Sequence, residues 1–190
     1  MKRVLLAALA GGVVLFLWGA LSHMVLQIGD LGIAPLPSED TLMAAMKSHI
    51  ARDGFYFFPG MDMEAENSEQ AWKDWEEKYR RGPRGFLLYH AQGAEPMPPS
   101  QFLIEFLSDV LAALVAAVFL VKIRGSIWQR TLMVTLLALF CWFSVHVPYW
   151  NWYGFPGLYT ASQLLDGVVG WFLAGMALAA LVKPAQTESR

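Results

Sequence analysis

The 190 residues are 56% hydrophobic and only 16% charged, where an ordinary soluble domain carries about 25% charged residues. That balance, with a mean hydropathy of +0.39, excludes a typical soluble domain. The net charge of −2 offers no basic surface to a nucleic acid. The single cysteine, Cys141, excludes an intrachain disulfide and a cysteine-based metal cage.

Four stretches approach the roughly 20 apolar residues that a hydrocarbon core demands. The first, 4–27, follows "MKR" and holds Ala20-Leu21-Ser22, a passable signal-peptidase site. Its apolar run continues past that site to Leu26, so a retained helix is expected. Residues 28–100 form the long connection. It is rich in aromatics and apolar residues, which argues for a folded module rather than disorder. Ser38 is a candidate cap for a helix whose first turn holds Glu39 and Asp40, with Leu42, Met43, Met46 and Ile50 at helical spacing and Gly54 beyond its end. "FYFF", 55–58, reads as a strand stopped by Pro59-Gly60. Ser68 is a candidate cap for a second helix, about 69–81, carrying a stripe of Trp72, Trp75 and Tyr79. "FLLYH", 86–90, reads as a second strand. The other spans are 101–121, 127–147 and 160–182, with an aromatic connection "PYWNWYGFPGLY" at 148–159 and a tail at 183–190.

Basic residues orient this bundle. Lys2, Arg3, Lys122, Arg124, Arg130, Lys183 and Arg190 fall on one side of a four-span topology, which places both termini in the cytoplasm. The long connection has twelve Asp/Glu against seven Lys/Arg, a balance of −5, and loops longer than about 60 residues largely escape the charge rule. It is therefore expected outside. Trp150 and Trp152 suit a membrane–water interface on that same side. The fold class expected is an integral membrane all-α four-helix transmembrane bundle, with a small extracytoplasmic α/β module between spans one and two. A bacterial inner membrane is the expected location.

Ionisable residues inside the spans are expensive, and they normally face the bundle interior and a partner. His23, Glu105, Asp109, His146 and Asp166 all fall toward the outer ends of their spans, with each span giving at least one. Glu105 and Asp109 stand at i and i+4, on the face that continues through Ala112 and Ala116. Asp166 shares its face with Gly170, Ala174 and Ala177, and His23 lies near a Gly12–Gly19 stripe. Small residues mark close helix approach. One cluster of two imidazoles and up to three carboxylates is expected beneath the outer surface.

The bland account is a set of His–carboxylate bonds locking the helices, aided by helix dipoles. A metal site for Fe, Zn or Mn using all five residues is the sharper account, although the Glu-x-x-His pairs of di-metal bundles are missing. His23 and His146 as axial ligands of haem b form another. A proton path through Glu105, Asp109 and Asp166 lacks relays in the inner halves of the helices. His49 and His90 read as isolated and exposed, and Arg80, Arg81 and Arg84 as a solvated helix end.

No phosphate loop, G-x-S-x-G, H-E-x-x-H or C-x-x-C occurs, and the chain has no internal repeat. The expected function is non-enzymatic: an accessory or assembly subunit of a larger membrane complex, docking other subunits through Trp72, Trp75, Tyr79, Trp150 and Trp152. The rivals are a metal- or haem-binding membrane oxidoreductase or metal-handling protein, and a lipid- or quinone-binding protein.

Overall fold

The computed structural model describes residues 1–184. Of the expected tail, residues 185–190, Arg190 included, lie outside the described residues. In chain order the elements are α1 (Lys2–Ala20), which runs on into a π-helical turn (Leu21–Val25), α2 (Glu39–His49), β1 (Gly54–Phe58), α3 (Ser68–Arg81), β2 (Gly85–Tyr89), α4 (Pro99–Lys122), α5 (Ile127–Cys141), a second π-helical turn (Trp142–His146), α6 (Val147–Tyr153) and α7 (Gly157–Leu181). The chain divides into a helical unit, Met1–Ile33 with the chain from Pro96 onward, and a small unit, Ala34–Glu95.

Four helical stretches are long and apolar enough to cross a membrane: Lys2–Val25, Pro99–Lys122, Ile127–Tyr153 and Gly157–Leu181. The aromatic connection expected at 148–159 is corrected. Most of it is helix, because Pro148 sits in the first turn of α6, where a fixed φ fits and no N–H is needed. Gly154, at φ 74°, ends α6, and Pro156 precedes α7, so the connection shrinks to residues 154–156. The start of α5 is fixed by a capping box: the Gln129 N–H donates to Ser126 Oγ at 3.2 Å while the Ser126 N–H donates to Gln129 Oε1 at 2.9 Å.

The helices pack in the order α4, α1, α7, α5, so α4 and α5, consecutive in sequence, scarcely meet. Small residues explain the order. A Cβ on Gly12 would lie 2.8 Å from the Val110 backbone nitrogen, and one on Gly175 would lie 3.1 Å from the Thr131 carbonyl. Glycine alone permits those backbone approaches. The core is Ala7, Ala113, Ala116, Ala117, Leu120, Val134, Leu178 and Val182. These residues belong to the starts of α1 and α5 and to the later halves of α4 and α7, so the core lies at one end of the unit. Larger side chains point outward, with Leu111 62% and Phe140 72% exposed. A small core, half of it alanine, under an outside rich in Leu and Phe differs from a soluble core and suits lipid.

Arg130, one of the basic residues expected to set orientation, is 3% exposed. Its guanidinium donates to the carbonyls of Ala179 at 2.9 Å, Val182 at 2.8 Å and Leu120 at 3.2 Å. Those oxygens lie at the ends of α4 and α7, where carbonyls run short of helical partners and the dipole is negative, although the Leu120 carbonyl also accepts from the Ile123 N–H at 3.3 Å. One side chain of α5 thus ties two neighbouring helix ends.

In the small unit, β1 and β2 pair antiparallel with Phe55 opposite Leu88 and Phe57 opposite Phe86. Trp75 packs on Trp72 at 5.1 Å and on Tyr79 at 5.0 Å, Tyr79 meets Phe57 at 6.4 Å, and Trp75 Nε1 donates to the Pro59 carbonyl at 2.9 Å. Two expected caps are corrected. Ser38 adopts φ 51° and its side chain caps nothing. The cap of α3 is Asn67, whose Oδ1 accepts from the Gln70 N–H at 3.0 Å. Gly54 opens β1 rather than closing α2.

Candidate functional site

At the end of the helical unit opposite its core, α1, α4 and α7 part to leave a cavity of about 500 Å³. Three helical stripes line it. Leu15, Trp18, Gly19 and His23 come from α1 and its π-turn; Gln101, Phe102, Glu105 and Asp109 from α4; Asp166, Gly167, Gly170 and Trp171 from α7. Four of the five expected polar residues therefore share one wall. His146 does not line the cavity. Its π-turn continues α5, and α7, which packs on both α1 and α5, intervenes. The expectation of a single five-residue cluster is corrected accordingly. Packing order, which periodicity does not encode, is the reason.

Asp166 is held from two sides. Trp18 Nε1 donates to its Oδ1 at 2.8 Å and to its main-chain carbonyl at 3.1 Å. The indole fits because position 170 is glycine, where a Cβ would stand 2.8 Å from Trp18 Cδ1. Across the cavity mouth, His23 Nε2 lies 3.9 Å from Asp166 Oδ2. Its other nitrogen, Nδ1, is 3.3 Å from Asp30 Oδ1. The imidazole thus stands between two carboxylates.

The turn after α1 fixes that imidazole. The Ile28 N–H donates to the Ser22 carbonyl at 2.9 Å, and Gln163 Nε2 of α7 donates to the Gly29 carbonyl at 3.0 Å. Gly29 lies directly against the His23 ring, so any Cβ there would strike the imidazole. The π-turn widens the helix by one residue at this point, a distortion frequent at functional sites.

Glu105 and Asp109 differ from Asp166. Among the described residues neither accepts a side-chain hydrogen bond or forms an ion pair, which corrects the expectation that each acid meets a partner within the bundle. No Lys or Arg lines the cavity. A Cβ at Gly19 meets nothing within 4 Å, so Gly19 keeps cavity space open rather than packing a helix.

Among the described residues no group of three or more His, Cys, Asp or Glu stands close enough to hold a metal ion. The two imidazoles expected on haem b do not share the cavity. Of the expected docking residues, Trp72, Trp150 and Trp152 are exposed, while Trp75 and Tyr79 are half-buried in the aromatic column of the small unit. His90, expected to be isolated, lies 3.4 Å from Asp53 Oδ2, and the Ala91 N–H donates to Asp53 Oδ1 at 2.8 Å. Arg84 lies over the Tyr79 ring, 4.9 Å from its centroid. Arg80 pairs with Glu76 at 3.2 Å.

Sequence reasoning missed Trp18, Asp30, Gln101 and Trp171. Gln101 carries a readable signal, one turn before Glu105 on the same helical face, whereas Trp18 and Trp171 each stand five residues from an expected polar residue and off its face. Asp30 follows a helix end and has no periodicity to betray it. Comparison with known families, curated proteins and solved structures finds no match for this chain.

Proposed function

We propose that the chain is a multi-pass membrane protein that holds a membrane amphiphile in this cavity, toward the outer leaflet. The carrying observation is a cavity of about 500 Å³ lined by Phe16, Phe102, Met24 and Trp171 as well as by His23, Glu105, Asp109 and Asp166. Small-molecule sites are concave, mostly apolar and span about 300–1,000 Å³, with a few polar groups that fix orientation. Placement between candidate spans gives a bilayer component access. The distribution of small and large side chains supports insertion, and the basic residues at 2, 3, 122, 124 and 183 support cytoplasmic termini with residues 34–95 outside. A bacterial inner membrane is the location that fits this arrangement.

This reading takes up the lipid- or quinone-binding alternative. The accessory-subunit reading keeps one specific support, the exposed Trp72, Phe55 and Leu88 of the small unit. The oxidoreductase reading loses support, because its five ligands do not converge.

Native mass spectrometry of the full chain from mild detergent tests the proposal. Wild type is expected to retain a bound amphiphile, and Gly19→Phe, which places a ring where nothing lies within 4 Å, is expected to lose it. Equal retention by both, or by neither, would overturn it.

A further inference from the structure

The cavity's carboxylates have no cation among the lining residues apart from the His23 imidazole, which stands against Asp30 and Asp166; the neutral donors beside them are the Gln101 amide and the indole N–H groups of Trp18 and Trp171. Glu105, Asp109 and Asp166 contribute three carboxylates. Asp166 already accepts from Trp18 at 2.8 Å, but Glu105 and Asp109 accept from no side chain among the described residues. The two stand at i and i+4 on one helix, so their like charges repel. The cavity offers them no Lys or Arg. A half-buried carboxylate such as Asp109 with no donor bonded to it is unfavourable, and a ligand that supplies donors relieves it; Glu105, which is exposed, adds its charge to the same helical face.

That imbalance selects among amphiphiles. An oxidised quinone brings carbonyl acceptors and would leave both carboxylates unpaired. An anionic headgroup would add a like charge. A neutral alcohol brings one donor and no charge. A protonated amine brings up to three N–H donors and a positive charge, and charge-assisted bonds to carboxylate are about twice as strong as neutral ones. The walls fit the same guest. Trp18, Trp171 and Phe102 line the cavity beside the acids, and aromatic faces attract cations within about 6 Å. The remaining lining, with Leu15, Phe16, Met24 and Met97, suits an alkyl chain.

Resting on the proposed amphiphile site, we infer that its ligand is an amphiphile carrying a protonated amine. The ammonium sits against Glu105 and Asp109, and its chain lies along Leu15 and Phe16. Asp166 is a positioning residue here, because Trp18 and His23 already engage it. The amine could come from an aminophospholipid headgroup or from a free long-chain amine.

The test compares dodecylamine with dodecanol, equal in length and uncharged, at submicellar concentration on the full chain in mild detergent. Binding is read by native mass spectrometry and by the shift in melting temperature. Wild type is expected to bind dodecylamine about tenfold more tightly, the size expected when a charge pair replaces a neutral contact. The preference is expected to vanish in Glu105→Gln/Asp109→Asn, whose amides preserve shape. Equal affinity for both probes, with loss of both in Gly19→Phe, would overturn the amine assignment and leave the cavity reading standing. No binding of either probe, with Gly19→Phe identical to wild type, would sink both. Retention of phosphatidylethanolamine over phosphatidylglycerol from mixed nanodiscs would point to the lipid source. Retention of neither lipid alongside tight dodecylamine binding would point to a free amine.

Discussion

The two ends of the helical unit treat charge in opposite ways. At one end Arg130 is 3% exposed, and three main-chain carbonyls from two helix ends accept its hydrogen bonds. It is surrounded by the core that Leu120, Val134, Leu178 and Val182 build. At the other end Glu105 and Asp109 line open space and bond to no side chain among the described residues. A buried charge with its partners built in is a structural fastener. Charges without partners beside a cavity are a liability to stability unless something else meets them, and such sites are where function is usually found.

Substituting a partnered charge should therefore cost stability, and substituting an unpartnered one should not. The largest effect is expected for Arg130→Met, which removes three hydrogen bonds to main-chain carbonyls at once. A loss of about 3 kcal/mol is expected, measured by reversible denaturation in mixed micelles. Gly12→Val tests the close backbone approach on which the helix order depends. With Val110 nitrogen 2.8 Å from the new Cβ, a loss of about 2 kcal/mol is expected from overpacking. Asp166→Leu removes one of the two acceptors of Trp18 Nε1 and should cost about 1 kcal/mol, with a change in Trp18 fluorescence. Asp109→Asn should leave stability within about 0.5 kcal/mol or raise it, because no partner is lost and a like-charge pair is relieved. A loss as large as that of Arg130→Met would erase the contrast between the ends.

The smallest effect lies in the small unit. The Ala91 N–H, and then His90, hold Asp53 below its ordinary value of 3.8. A carboxylate depressed in the folded state contributes stability that is present above its unfolded pKa and lost as pH falls through the folded one. Protection of the Ala91 amide from hydrogen exchange should therefore weaken below about pH 4. Asp53→Asn should flatten that dependence. Because Asp53 is exposed, unfolding of the whole chain should scarcely register the change.

Periodicity made several features legible. The stripes through Glu105 and Asp109, through Asp166 and Gly170, and through Gly19 and His23 all face one cavity, because helical phase is written in residue spacing. Local chemistry was less reliable where two candidates competed for a cap. Asn67 and Ser68 are adjacent and both suit the N-cap, and only the backbone path showed which one accepts from Gln70. The aromatic connection misled because its Trp and Tyr suit a membrane–water interface whether they stand on a loop or on a helix, and Pro148 is acceptable in a first helical turn.

The sequence by itself determined the number of long apolar helices and the helix, strand, helix, strand order of the inserted module. These follow from composition and from periods of 3.6 and 2, which are local properties of the chain. Only the tertiary structure decided that α1 and α7 are central, that His146 stands apart from the other four, that Asp30 and Trp18 join them, and that Arg130 is buried. Each of these depends on which helix lies beside which, and that is set by glycines meeting backbones distant in sequence.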